Sequence, residues 1–312
     1  MIHFLSVVIP TYNHLSSLKN TLKSFCHQTF NNFEVVIADD GSTDGTGDYV
    51  QNQKWSFPLQ YFRQENKGRS AARNLGWQNA KGDIIVFIDD HAILDSNFLE
   101  EHYKTHLEFE NTNTIVVRGH APRIGDLANI AKINKTPAAK EKNWLLKHES
   151  DPFRTFCTNN ISIRKFVLKE TNGFDEDFKE YGFQDAELGW RVKLAGYKFK
   201  INLQAVACIF SIKQGLLKRC DKMRQAGHSA VLFRKKHPFV GLHLVNIFSR
   251  IPYALYSVFD SFLLKRLFNK VSQNIKLENK LRYFFHSLGI AEALNNKKDF
   301  PSTEEVFNKY SI

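Results

Sequence analysis

Val35-Val36-Ile37-Ala38-Asp39-Asp40 and Ile84-Ile85-Val86-Phe87-Ile88-Asp89-Asp90-His91 follow one pattern, an apolar, β-branched run that ends in paired aspartates. A continuous apolar run of this length reads as a strand buried on both faces, as in a parallel sheet. Ligands of open α/β sheets bind just beyond the carboxyl ends of such strands, so two acidic strand ends point to one cleft. Adjacent carboxylates repel unless a cation or hydrogen-bond donors satisfy them. The second pair, with His91 beside it, reads as half of a metal site.

Outward from these runs the chain alternates strands and helices. Leu5 to Ile9 reads as a strand and Pro10-Thr11-Tyr12-Asn13 as a turn, followed by Leu15, Leu18, Leu22 and Phe25 at helical spacing. Met1 to Ile9 lacks a basic leader and a small-residue cleavage site, which favours this first strand over a signal peptide. Phe33 to Ala38 gives the next strand, and the turn-rich loop from Asp39 to Gly45 offers Ser42 or Thr43 as a helix cap. Leu59 to Arg63 leads to Asn66-Lys67-Gly68-Arg69 and a helix opening at Ser70; Ile84 to Ile88 is the fourth strand. This alternation predicts an α/β fold with right-handed crossovers and a mainly parallel sheet.

Beyond His91 the pattern changes. A strand is expected at Thr114 to Arg118, a loop over the site from Asp126 to Ser150, a helix within Glu180 to Gly196, and one or two closing strands from Tyr197 to Cys208. Helices dominate from Ser211 on. The expected division is a domain over 1–210 and a helical, basic region over 211–312.

The 312 residues are 43% hydrophobic, enough for a substantial core, and carry a formal net charge of +11. That charge is concentrated: Ser211 to Ile290 holds 15 Lys and Arg against 3 Asp and Glu, while the rest of the chain is close to neutral. The cationic surface is thus separate from the acidic cleft. Cys26, Cys157, Cys208 and Cys220 form no Cys-x-x-Cys pair, which disfavours zinc or redox chemistry and fits reduced thiols in a cytoplasmic protein. The most apolar stretch, Phe239 to Leu264, is interrupted by Arg250, Pro252 and Asp260, so a transmembrane helix is not expected.

Read as chemistry, a carboxylate at Asp40 can accept hydrogen bonds from a nucleobase or ribose, yet the first β-turn-α lacks a glycine-rich fingerprint, which disfavours a nicotinamide enzyme. Oxygen ligands plus one imidazole at Asp89-Asp90-His91 suit Mg2+ or Mn2+ bridging phosphates, the histidine favouring Mn2+. Between the acidic ends, Lys67-Gly68-Arg69 and Arg73 supply cations that reach phosphates, with the glycine admitting a close backbone approach. In Tyr181-Gly182-Phe183-Gln184-Asp185, an aspartate at the mouth of a helix is placed to act as a general base, or simply to pair with basic residues along that helix.

The order of these elements resembles the family 2 glycosyltransferases of the GT-A fold. The matching segments are Val7 to Asn13, Asp39 to Asp44, Asn66 to Asn74, Phe87 to His91, and Asn172-Gly173-Phe174-Asp175 ahead of Gln184-Asp185. The resemblance implies that Pro10, Tyr12 and Asp40 hold the nucleoside, with Asp40 facing the base. Gly68, Arg69, Arg73, Asp89 and Asp90 complete the nucleotide-sugar site, Arg69 lying near the diphosphate. It assigns Asp89 and His91 to a Mn2+ or Mg2+ ion and makes Asp185 the catalytic base of a single, inverting displacement. Three positions depart from the family pattern: His91 stands where Asp is usual, Gln184 where Glu is usual, and Cys208-Ile209-Phe210-Ser211 carries no further histidine.

These implications describe a metal-dependent hexosyltransferase in polysaccharide or cell-envelope synthesis, using a nucleotide sugar, UDP-linked by preference. The acceptor would be a hydroxyl of a glycan or lipid-linked molecule. Lys213 to Arg224 and Arg234-Lys235-Lys236, followed by apolar Phe239 to Leu264, read as an interfacial segment that meets anionic lipid, placing the protein peripherally on the inner face of the cell membrane. A solvated basic bundle is the simpler reading; nucleic-acid binding is disfavoured by the lack of a base-reading module. The alternative to an enzyme is a catalytically silent nucleotide-sugar-binding or membrane-scaffold protein.

Overall fold

Every residue of Phe33–Asp39 is buried in the computed structural model, which describes residues 4–112, 114–125, 137, 139–151, 155–210 and 215–238, with 285, 286, 289, 292 and 293 beyond them. The elements run β1 (Leu5–Thr11), α1 (Leu15–Phe25), β2 (Phe33–Asp39), α2 (Thr46–Asn52), β3 (Leu59–Arg63), α3 (Arg69–Asn79), β4 (Ile84–Ile88), β5 (Ala92–Leu94) and α4 (Phe98–Glu108). They continue as β6 (Thr114–His120), β7 (Arg123–Ile124), α5 (Ala139–Lys147), β8 (Asn160–Arg164), α6 (Lys165–Glu170), α7 (Gln184–Leu194), β9 (Lys198–Phe210) and α8 (Leu216–Lys236). The chain groups into two compact units, one of residues 1–179 and 185–212 and one of residues 180–184 and 213–312.

In the first unit the strands form a mixed sheet in the order β3-β2-β1-β4-β8-β6-β9-β5, with β7 added beside β9. The leading four strands are parallel, as the alternation predicts, and β8 enters antiparallel between β4 and β6. The period-2 alternation of a strand sends side chains to opposite faces. Val7, Ile9, Val35, Ile37 and Val86 pack against Leu18 and Leu22 of α1, while Val8, Val36, Ile85 and Phe87 pack against Trp77 of α3 and Leu188 of α7. Burial of each such side chain stabilises the fold by about 1.5–3 kcal/mol before entropy is counted.

The closing segment is one 13-residue strand, β9, within the one or two expected, and its pairing with β6 breaks register between Gly119 and His120. Two local expectations change. Of the expected loop from Asp126 to Ser150, residues 139–147 form helix α5, and 126–136 lie outside the described residues. Ser42 and Thr43 do not cap α2. Gly45, in a left-handed conformation, precedes that helix, and Asp44 Oδ1 accepts from the Thr46 amide and hydroxyl at 3.2 and 2.6 Å. The opposite oxygen, Asp44 Oδ2, accepts from the Leu15 amide at 2.8 Å. One carboxylate two residues ahead of α2 therefore serves two helix starts, because an ionised acceptor complements the positive end of a helix dipole.

In the second unit, residues 180–183 lie along α8. Phe183 packs at a tilt against Phe233 with ring centroids 5.7 Å apart, the Tyr181 amide donates to Gln225 Oε1 and Ser229 donates to Tyr181 O. His228 bridges Glu180 and Glu292 at 2.6 and 2.8 Å, and these hydrogen bonds outweigh burial and raise its pKa to about 9. Arg224 pairs with the same Glu292. Part of the basic stretch is thus neutralised within its own unit. The apolar segment Phe239 to Leu264 lies outside the described residues.

A buried polar chain ties β8 to its neighbours. Asn160 Nδ2 donates to the carbonyls of His120 and Ala205, both at 2.8 Å, so its Oδ1 accepts from His102 Nε2 at 2.9 Å. With that nitrogen protonated, His102 Nδ1 accepts from Ser162 Oγ at 2.8 Å, and Ser162 in turn accepts from His106 Nε2 at 2.8 Å. Gly119 is required here, since a Cβ would stand 2.3 Å from Asn160 Oδ1 and 2.4 Å from Ala205 O. Burial holds the His102 pKa down at about 4. Its unfolded value is near 6.5, so acid favours the unfolded chain: stability is complete above about pH 6.5 and falls as the pH drops toward 4. The full penalty is about 3 kcal/mol. Urea titrations between pH 4 and 7 are expected to show this slope, and His102→Gln is expected to flatten it; an equal slope in the variant would contradict the assignment.

Candidate active site

The loops after β1 and β2 interlock. Asn13, at φ +52°, accepts from the Thr43 amide through Oδ1 at 2.8 Å, and its own amide donates to Ser42 Oγ at 2.9 Å. Asp39 is turned into the fold, accepting from the Ser42 amide at 2.8 Å and the Tyr61 hydroxyl at 2.6 Å. Asp40 accepts from Gln64 Nε2 at 2.7 Å and from the amides of Lys67 and Gly68, both at 2.9 Å. A carboxylate offers about four lone-pair directions, so three are spent on fixing the 64–68 loop and one remains for a further donor. Gly68 adopts φ +93°, which a side chain resists, and delivers the chain into α3 at Arg69. Pro10 is half-buried and Tyr12 is 46% exposed at the rim of these loops.

At the end of β4 the two aspartates separate. The Asp90 side chain points inward, where its carboxylate accepts from Thr11 Oγ1 at 2.8 Å, from His14 Nδ1 at 3.1 Å and from His91 Nδ1 at 3.0 Å. Burial alone would raise its pKa; the two histidine hydrogen bonds prevail and hold it at about 2. Because an ionised carboxylate only accepts, Nδ1 of His91 carries the proton and Nε2 is the ring nitrogen turned toward Asp89 Oδ2, 3.9 Å away. Burial pushes the Asp89 carboxyl up, against the pull of His91 and Arg73. A cation beside it would relieve that cost.

These atoms suit a divalent ion. An ion about 2.1 Å from each ligand atom spans a pair up to about 4.2 Å apart. Among the described residues no group of three or more His, Cys, Asp or Glu converges on one point. Two protein ligands, with phosphate oxygens and water completing the shell, is the arrangement by which Mg2+-type ions bind at phosphate sites.

The third carboxylate, Asp185, sits in the first turn of α7. It accepts from the Thr158 amide through Oδ2 at 3.0 Å, and the Thr158 hydroxyl lies 3.0 and 3.1 Å from its two oxygens. Arg73 Nη1 of α3 stands 3.7 Å from Asp185 Oδ1. The Arg73 side chain is 93% buried, and its Nε has no hydrogen-bond partner among the described residues. The next residue of α3, Asn74, holds the segment ahead of α7, donating to Phe174 O and accepting from the Phe174 amide at 2.8 and 2.9 Å. Gly173 belongs to this clasp: its φ is +62°, and a Cβ would come within 2.6 Å of Asn74 Oδ1. Gln184 donates back to Glu180 O.

The fold thus gathers Asp89, His91, Arg73 and Asp185 into one electrostatic cluster, with Asp185 and Arg73 both felt at Asp89. Pro10, Tyr12, Asp40 and Gly68 belong to the adjoining loop cluster at the ends of β1 and β2, Arg69 lying exposed at the start of α3. Asp90 stands behind His91, with protein groups as its partners. Three contributors escaped the reading of the sequence: Thr11, His14 and Thr158. Thr11 lies within the expected Pro10-Thr11-Tyr12-Asn13 turn and His14 follows it, and Thr158 stands two residues ahead of the strand Asn160–Arg164.

Comparison with known proteins places this geometry. The family described as "Glycosyl transferase family 2" matches residues 6–168, and that described as "N-terminal domain of galactosyltransferase" matches residues 145–214. The uncharacterized glycosyltransferase YfnE of Bacillus subtilis is 28% identical over 277 residues, covering 70% of each chain. Chondroitin synthase of Pasteurella multocida is 30% identical over 282 residues, 78% of this chain but 28% of the synthase. This chain likewise matches only 38% of the length of Escherichia coli chondroitin synthase. Among solved structures, a mannosyltransferase from Pyrobaculum calidifontis in complex with GDP-Man and Mn2+ superposes with a TM-score of 0.61 at 17% identity, covering 96% of this chain and 89% of that one. The 1–349 fragment of S. aureus TarS in complex with UDP-GlcNAc gives 0.55 at 15% identity, with 95% and 93% covered. The fold is GT-A, and the chain belongs to the family 2 glycosyltransferases.

Proposed function

We propose that this glycosyltransferase moves a hexosyl group from a nucleotide sugar, UDP-linked by preference, to a hydroxyl of a glycan or lipid-linked acceptor, inverting the anomeric centre. The observation that carries this reading is the placement of Asp185, held by Thr158 and faced by Arg73, in the same electrostatic cluster as the Asp89–His91 pair. The nucleoside is assigned to Pro10, Tyr12 and Asp40, and the diphosphate to Gly68, Arg69 and Arg73. The orphan Nε of Arg73 supports the last assignment, since a buried guanidinium nitrogen without an acceptor favours an incoming anion. Solved neighbours bound to GDP-Man and Mn2+ or to UDP-GlcNAc are consistent with such a donor. The chondroitin synthases among its relatives are consistent with a glycan acceptor.

In the proposed reaction Asp185 accepts the proton of the acceptor hydroxyl as its oxygen bonds to the anomeric carbon. The bond from that carbon to the diphosphate oxygen breaks, and the leaving group departs beside Arg69 and Arg73. Asp89 and His91 Nε2 would hold Mn2+ or Mg2+, which supplies charge neutralisation for the diphosphate. Asp90 keeps His91 turned toward Asp89, and Thr158 keeps Asp185 in place.

Screening UDP-, GDP- and dTDP-sugars for nucleotide release, with water as acceptor, is expected to identify a turned-over donor; a silent binding or scaffold protein would release none. Asp185→Asn is expected to bind the nucleotide normally and lose roughly 100-fold or more in turnover. Near-normal release by that variant would remove Asp185 from the role. Treatment with EDTA is expected to abolish turnover, with activity restored by Mn2+ and less well by Mg2+, and to remove the rise in thermal midpoint that Mn2+ and UDP give together. A rate and midpoint indifferent to chelation would contradict the metal assignment.

A further inference from the structure

Thr158 is 2% exposed, and both of its polar donors are directed at one carboxylate. A threonine inside a turn ordinarily spends its hydroxyl on nearby backbone. Here the hydroxyl and the amide reach across 27 residues of sequence to Asp185. The turn itself is fixed from two sides. Arg118 of β6 donates to Cys157 O at 3.2 Å and to Asn159 Oδ1 at 3.4 Å. On its other side Asn160 is locked by the His120 and Ala205 carbonyls. The donors therefore stand on a rigid platform, whereas Asp185 has a side chain that is 27% exposed and two χ angles of its own.

We propose that Thr158 is a positioning residue for the transfer reaction, fixing the plane of the Asp185 carboxylate so that Oδ1 is the oxygen that takes the acceptor's proton. The amide N–H occupies Oδ2, and the hydroxyl, at 3.0 and 3.1 Å, straddles the edge of the carboxylate and resists its rotation. Oδ1 is left on the side of Arg73, 3.7 Å away, where the nucleotide sugar is assigned. As the acceptor O–H breaks, its proton bonds to Oδ1 and its oxygen to the anomeric carbon, and the nucleoside diphosphate leaves with the electrons of the broken bond. An error of about 1 Å in such a geometry is enough to cost orders of magnitude in rate. The hydroxyl would add this constraint to the one the amide supplies, so its removal alone has a smaller effect. The inference rests on Asp185 being the base.

The test is a double-mutant cycle on the full chain, reading release of nucleoside diphosphate from the nucleotide sugar of the UDP-, GDP- and dTDP-sugar panel that the unmodified chain turns over fastest. Thr158→Val keeps the backbone N–H and removes the hydroxyl, Thr158→Ser keeps the hydroxyl, and each is made with Asp185 and with Asp185→Asn. Thr158→Val is expected to lower kcat about tenfold with KM for the donor unchanged, Thr158→Ser to recover most of that loss, and Thr158→Val to cost less than about twofold in the Asp185→Asn background. If the valine variant does not fold by circular dichroism, Thr158→Ala takes its place. An equal loss in both backgrounds, a loss confined to KM, or no loss beside an inactive Asp185→Asn would overturn the positioning role alone. Near-normal turnover by Asp185→Asn, or release from no panel member by the unmodified chain, would overturn the reading of the base and this inference with it.

Discussion

The geometry of the candidate site depends on one buried charge. Removing a carboxylate from water costs several kcal/mol unless its lone pairs are filled by donors in good geometry. The Asp90 side chain, 7% exposed, meets that condition with donors from three places: the end of β1, the residue ahead of α1 and the neighbouring imidazole. Its backbone carbonyl accepts from Thr21 of α1 at 2.9 Å as well. The ends of β1 and β4 and the start of α1 are bound to one residue, and His91 is oriented in the process. The second aspartate of the pair thus spends its side chain on protein groups, and Asp89, with a side chain 28% exposed, is the more accessible of the two.

A second rigid support rises from the other half of the sheet. The His102–Ser162–His106 chain and the doubly donating Asn160 knit β6, β8 and β9 at the point where the 157–160 turn ends. That turn carries the two donors to Asp185. Asn74 and Gly173 clasp the approach to α7 onto α3, the helix that also carries Arg73. Precision at a site comes from side chains whose partners are themselves fixed, and both carboxylate groups here have such a second layer.

The parallel half of the fold could be read from the chain because its signals are local. Apolar runs, a Pro-Thr-Tyr-Asn turn and helical spacing each lie within about ten residues, and β2 to β4 fall where those signals put them, while β1 runs on through Pro10 and Thr11 of the expected turn. Spacing and family resemblance single out Asp89, His91, Arg73 and Asp185, which the fold brings into one cluster. The supporting residues are not singled out, because their partners are distant: Thr11 and His14 bond 79 and 76 residues away, and Thr158 27. Asp44, rather than Ser42 or Thr43, holds the start of α2, and its second acceptance, from Leu15, comes from another part of the chain. Helix α5 emerged from a polar stretch whose composition resembled a loop.

Anomalous diffraction from crystals of the chain grown with Mn2+ and UDP tests the central claim most directly. The account predicts a single Mn2+ peak coordinated by Asp89 and by His91 Nε2, with UDP phosphate oxygens completing the shell and Asp90 still hydrogen-bonded to Thr11, His14 and His91 Nδ1. A peak coordinated by Asp90, or one away from Asp89 and His91, would contradict it.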